Sequence, residues 1–144
     1  LRKRNFLSDE QLAAVNPIKI AAFFGSPLGE SVLNAEKLYR EFKFSILVRP
    51  EDYFTGVNKD EIDVGDEILL QGVVDCCYEQ AGKLHIIDFK TDDVTPDTLE
   101  SKIALYAGQI RAYGRALTRI IQKPVERLVL YFFATGDAAE VLFD

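Results

Sequence analysis

Gln71-Gly72-Val73-Val74-Asp75-Cys76-Cys77-Tyr78-Glu79-Gln80-Ala81-Gly82-Lys83-Leu84-His85-Ile86-Ile87-Asp88-Phe89-Lys90-Thr91 carries two largely apolar runs on either side of Ala81-Gly82. Such runs around a two-residue turn read as a β-hairpin, with Gly82 at a position that needs positive φ. A loop at Ala81-Gly82 pairs Gln80 with Lys83 and gives every opposed pair the constant sum 163, so Asp75 falls across from Asp88. Side chains alternate along a strand, which sets Asp88 and Lys90 on one face, the face that bears Asp75. Opposed like charges cost about 0.2–1 kcal/mol at a surface, and more as water is withdrawn. A bound cation reverses that sign. Oxygen-only ligands suit magnesium or manganese, and a neighbouring ammonium can hold an attacking water or balance the charge of a phosphoryl transition state. The residue set therefore points to metal-dependent phosphodiester cleavage. A solvated strand end explains most acid pairs in strands, but Val73, Val74, Ile86, Ile87 and Phe89 make this hairpin apolar and central.

Working outward, 144 residues with 48% hydrophobic and 11% aromatic side chains bound the chain to a single α/β domain with a sizeable core. No apolar run approaches the ~20 residues of a membrane span. The start, Leu1-Arg2-Lys3-Arg4-Asn5, lacks a signal-peptide core, and the absence of any Met leads us to expect a piece of a longer chain. Cys76 and Cys77 are adjacent and should point to opposite faces, which disfavours a disulfide and fits a reducing, cytoplasmic setting. A net charge of −6 is the wrong sign for a stand-alone DNA binder held by bulk electrostatics. It weighs less against a nuclease module to which a larger partner delivers the strand.

Residues Leu7 to Gly25 read as a helix that Pro17 kinks or divides, Ser26-Pro27-Leu28-Gly29 as a break, and Glu30 to Arg40 as a second helix. These helices should cover one side of a sheet. Glu41 to Val48 alternates as a first strand, Arg49 to Gly65 is a polar loop, and the hairpin runs from Ile68 to Lys90. An acidic loop, Thr91 to Glu100, precedes the strongest helix, Ser101 to Ile121. Its stripe of Ile103, Tyr106, Ile110, Tyr113, Leu117, Ile120 and Ile121 should face the core, while Arg111, Arg115 and Arg119 line the opposite side. That basic ridge is more often a solvated face than a DNA-backbone track. Val125 to Ala134 is a buried strand, and Ala139 to Phe143 the last one. Residues 1–40 form a helical N-terminal part and 41–144 the core. The acidic loops 49–66 and 91–100 are candidate contact surfaces.

The ordered set Gly72-x-x-Asp75, Asp88-Phe89-Lys90-Thr91, Tyr106-x-x-Gln109-x-x-x-Tyr113 and Leu130-Tyr131-Phe132-Phe133 resembles the RecB-like branch of the PD-(D/E)xK, restriction-endonuclease-like nucleases. Within it, the set is most similar to the C-terminal nuclease domain of the larger, A-type chain of bacterial AddAB (RexAB) helicase–nucleases, over roughly residues 40 to 143. The resemblance implies a restriction-endonuclease-like core, a mixed central sheet of about four to five strands flanked by helices. It implies a magnesium- or manganese-dependent DNA exonuclease that processes double-strand ends for recombinational repair. Its partners would be DNA, the helicase domains of the same full-length chain and the B subunit of the heterodimer, with no membrane. Asp75 and Asp88 are implied as metal ligands with the Phe89 backbone carbonyl, Lys90 as the residue that positions the attacking water, and Gln109 and Tyr113 as helix residues near DNA and site. Glu41 is a further candidate acid. The family's N-terminal metal-binding His has no counterpart here, since His85 falls on the face opposite Asp88, and the four cluster cysteines of related nucleases are absent. The alternative from another class is a non-catalytic nuclease-like module that binds DNA or a protein partner.

Overall fold

The computed structural model describes residues 15–54 and 66–143. Residues 7–14 of the first expected helix and 55–65 of the expected loop lie outside them. Five strands form one mixed sheet in sequence order: β1 (Lys37–Val48), β2 (Ile68–Gln80), β3 (Lys83–Lys90), β4 (Val125–Phe132) and β5 (Asp137–Val141). All neighbours are antiparallel except β3 and β4, which run parallel. A parallel step needs a long crossover. The chain supplies it with the last of its helices, α1 (Pro17–Phe24), α2 (Pro27–Leu33), the single turn α3 (Pro50–Tyr53) and α4 (Leu99–Ile121).

Both N-terminal prolines start helices. Asn16 accepts a hydrogen bond from the Ile18 amide at 2.8 Å and Ser26 Oγ accepts one from the Gly29 amide at 3.2 Å, so Pro17 and Pro27 sit in the first turn, where a missing N–H is harmless. The expected kink at Pro17 and break at Pro27 are thereby corrected. The expected helix Glu30 to Arg40 is corrected too: it ends at Leu33, and Lys37 to Arg40 pair with Glu79 to Cys76 as the start of β1.

The sheet buries both faces. On one, α1 packs Phe23 against Phe89 and Tyr131, with ring centroids 5.0 and 4.8 Å away, and Cys76, Ile87 and Val129 belong to the same cluster. On the other, Ile110, Ala116 and Leu117 of α4 meet Cys77, Leu84, Ile86, Leu128 and Phe132. The two free cysteines therefore point into opposite cores, as alternation requires. The stripe on α4 is broader than its large residues suggest. Ala112 and Gly114 are buried with it, while Ile120 is 38% exposed. The arginine ridge is structural: Arg111 Nε donates to the Leu142 carbonyl at 2.9 Å, Arg119 Nη1 to the Leu47 carbonyl at 2.8 Å, and the Arg115 guanidinium lies 5.6 Å from the Phe143 ring centre. Among the described residues, no helix is long and apolar enough to cross a membrane.

Candidate nuclease site

The β2–β3 turn is the two-residue loop expected, with positive φ at both Ala81 (54°) and Gly82 (76°), and the register runs from Gln80↔Lys83 to Cys76↔Ile87. Past that pair a side chain takes over from the backbone. Asp75 Oδ2 accepts the Phe89 amide at 2.9 Å, which brings its carboxylate to the edge of β3 beside Asp88. β3 continues alongside β4 through Asp88↔Leu130 and Lys90↔Phe132, so Asp88 and Lys90 share the face under α4. Asp88 is 9% exposed, and Lys90 Nζ lies 2.9 Å from its Oδ2. A buried carboxylate needs such compensation, because an uncompensated charge away from water is costly. The Phe89 ring turns the other way, stacked on Phe133 at 5.5 Å, which pins the backbone between the two acidic residues and the lysine.

Tyr113 and Gln109 come down on this corner from α4. Gln109 Nε2 donates to the Tyr113 hydroxyl at 3.2 Å. Burial pushes the Tyr113 hydroxyl above its ordinary pKa, and the charges of Asp88 and then Asp75 add to the rise, against the Gln109 hydrogen bond. Gly72 makes the approach possible. A Cβ there would stand 2.7 Å from Tyr113 Cε1 and 2.9 Å from Phe44 Cζ, so the glycine three residues before Asp75 is a space for the tyrosine ring.

Two residues that the sequence did not place at the site belong beside it. The Tyr106 ring lies under the Lys90 ammonium, 3.8 Å from nitrogen to centroid, and its hydroxyl donates to Asp92 Oδ2 at 2.5 Å. That hydrogen bond, with burial and the charges of Asp92 and Asp88 behind it, pushes the phenol up to about 12. Burial pushes the Asp92 carboxyl up, but hydrogen bonds from Tyr106 and from Lys102, 3.2 Å away, outweigh it and leave Asp92 below the ordinary carboxylate range. The signal in the sequence was Tyr106 itself, the first residue of the helix motif. Asp92 and Thr91 also line a cavity of about 400 Å³ with Asn16, Lys19 and Phe133. Glu41 does not precede the first strand. It lies within β1 at φ 48°, bracketed by Arg40↔Cys76 and Phe42↔Val74, and so stands across the ladder from Asp75.

Among the described residues there is no group of three or more His, Cys, Asp or Glu side chains placed to hold a metal. Two carboxylates and a backbone carbonyl still form a hard-oxygen donor set. Magnesium is commonly held by one or two carboxylates while keeping several waters, so the donors present fit that ion.

The model of the PD-(D/E)XK nuclease superfamily matches residues 10–142. Among curated relatives, the A-type chain of the ATP-dependent helicase/nuclease of Desulforamulus reducens is 37% identical over 142 residues, covering 98% of this chain and 11% of that protein. Its namesakes from Bacillus pumilus and Clostridium acetobutylicum are 32% and 34% identical over 92% and 96% of this chain. The chain spans 11% of the length of each of these relatives.

Proposed function

Because this chain belongs to the PD-(D/E)XK nuclease superfamily, we propose that its β2–β3 hairpin is the centre of a magnesium- or manganese-dependent DNA exonuclease domain. The observation that carries this reading is the convergence of Asp75, Asp88 and Lys90 at one buried corner, with the Asp75 carboxylate bonded to the Phe89 amide and Lys90 bonded to Asp88. Asp75, Asp88 and the Phe89 carbonyl would hold the cation, whose chemistry is to activate water and neutralise charge on the phosphoryl oxygens. Lys90 orients the attacking water and balances charge as the 3′ oxygen leaves. Gln109 and Tyr113 present a linked amide and hydroxyl to the DNA backbone at the same corner. The names of the relatives support a wider setting: one nuclease domain, paired with helicase domains of a longer chain and with a B subunit, trimming unwound double-strand ends in the bacterial cytoplasm for recombinational repair.

Cleavage of end-labelled single-stranded DNA by the full-length protein tests this. Magnesium should support cutting that a chelator stops, and Asp88→Asn or Lys90→Met should each slow it by about 100-fold or more. Cutting that persists unchanged in both variants sinks the assignment of the site, and no cutting by the wild type with either metal leaves the chain a non-catalytic module.

A further inference from the structure

The Lys90 ammonium is held from two sides. Among the described residues its ion-pair partner is Asp88, at 2.9 Å, and the face of the Tyr106 ring lies 3.8 Å away on the other side. The lysine side chain is only 14% exposed, so little solvent is at hand to replace either partner. On the reading above, Asp88 also serves a cation. Once its oxygens are committed there, Lys90 loses its counter-ion while a second positive charge stands nearby. A flexible four-carbon side chain in that position would gain rotamer entropy and hydration by swinging out.

We propose that Tyr106 is a positioning residue that keeps the Lys90 ammonium at the reaction centre when Asp88 turns to a bound cation. This inference rests on the nuclease reading of the site. Attraction of an ammonium to an aromatic face strengthens as the pair loses water, and it needs no anionic partner. The ring is also fixed in angle and enriched in electron density, because its hydroxyl donates to Asp92, which Lys102 anchors from the far side at 3.2 Å. Tyr106 transfers no proton in this role: its phenol is pinned as a donor and stays protonated at neutral pH. The chain Lys102–Asp92–Tyr106–Lys90 thus ties the end of β3 to the first half of α4. The Tyr-x-x-Gln-x-x-x-Tyr motif then has two tasks, with Tyr106 holding the lysine and the Gln109–Tyr113 pair lying next to the carboxylates.

The test separates ring from hydroxyl. In metal-free protein carrying ¹³C-labelled lysine, the Lys90 ε-methylene signal should be shifted upfield by the ring current in the wild type and in Tyr106→Phe, and should move to the ordinary lysine position in Tyr106→Leu. In cleavage assays with magnesium, Tyr106→Phe should retain kcat within about threefold. Tyr106→Leu should lose about tenfold or more in kcat with KM for DNA within about twofold. Tyr106→Met, nearer in volume, carries the same expectation should the leucine variant fail to fold. A Leu variant with wild-type kcat, or a Phe variant as slow as the Leu variant, overturns the proposal. If the wild type cuts no DNA, the nuclease reading fails by itself, while the lysine signal still reports whether the ring holds the ammonium.

Discussion

Asp75 occupies a place in the sheet that a backbone carbonyl would ordinarily fill. Its Oδ2 accepts the Phe89 amide, so the residue closes the ladder between β2 and β3 and at the same time delivers a carboxylate to Asp88. The two roles separate by substitution. Asp75→Asn keeps an acceptor oxygen and should leave stability within about 1 kcal/mol of wild type, whereas Asp75→Ala removes the acceptor and should cost about 1–3 kcal/mol. Urea midpoints compare them directly, and equal stability of the two variants would show that the bond to Phe89 contributes little. Asp88 is the converse case: its negative charge is stabilised by Lys90 inside a corner roofed by Tyr106 and Tyr113, so its worth lies in chemistry more than in folding. Gly72 shows how far the site reaches into the packing. The residue does no chemistry, yet a methyl group in its place would displace the Tyr113 ring.

The hairpin illustrates what a local pattern determines. The turn lies at Ala81-Gly82, and a two-residue loop leaves no freedom in the pairing that follows, which is why the opposition of Asp75 and Asp88 was legible in the sequence. Ala81, at φ 54°, carries a side chain where a left-handed conformation disfavours one. Ala81→Asn, which tolerates that region, should raise stability by about 0.5–1 kcal/mol in a thermal or urea melt, and an unchanged or lower midpoint would refute this account of the turn. The first strand was less legible. Val32, Leu33, Leu38 and Tyr39 recur at helix-like spacing, yet Lys37 to Arg40 are drawn into β1 by pairing with Glu79 to Cys76, a partner some forty residues away in sequence. For the same reason Glu41 was expected ahead of the strand rather than within it. Periodicity identified the face of α4 that meets the sheet, and the motif named Gln109 and Tyr113. Neither specified the height of the helix over β3, which is what sets the Tyr106 ring against Lys90.

At the scale of the molecule, the corner exists because the sheet is covered on both sides. The aromatic cluster around Phe23 holds β3 and β4 from one face, and α4 closes the other, so the end of β3 meets the middle of β2 at a place with restricted water. No single element brings the whole donor set: Asp75 comes from β2, Asp88 and Lys90 from β3, and their neighbours Tyr106, Gln109 and Tyr113 from α4. Such a site is an emergent property of the packing, and a divalent cation is the ligand its charges call for. Calorimetric titration of the nucleotide-free full-length protein with manganese tests that claim most directly. The account predicts uptake by the wild type that Asp75→Asn and Asp88→Asn each weaken by about tenfold or more, and uptake by both variants equal to that of the wild type would contradict it.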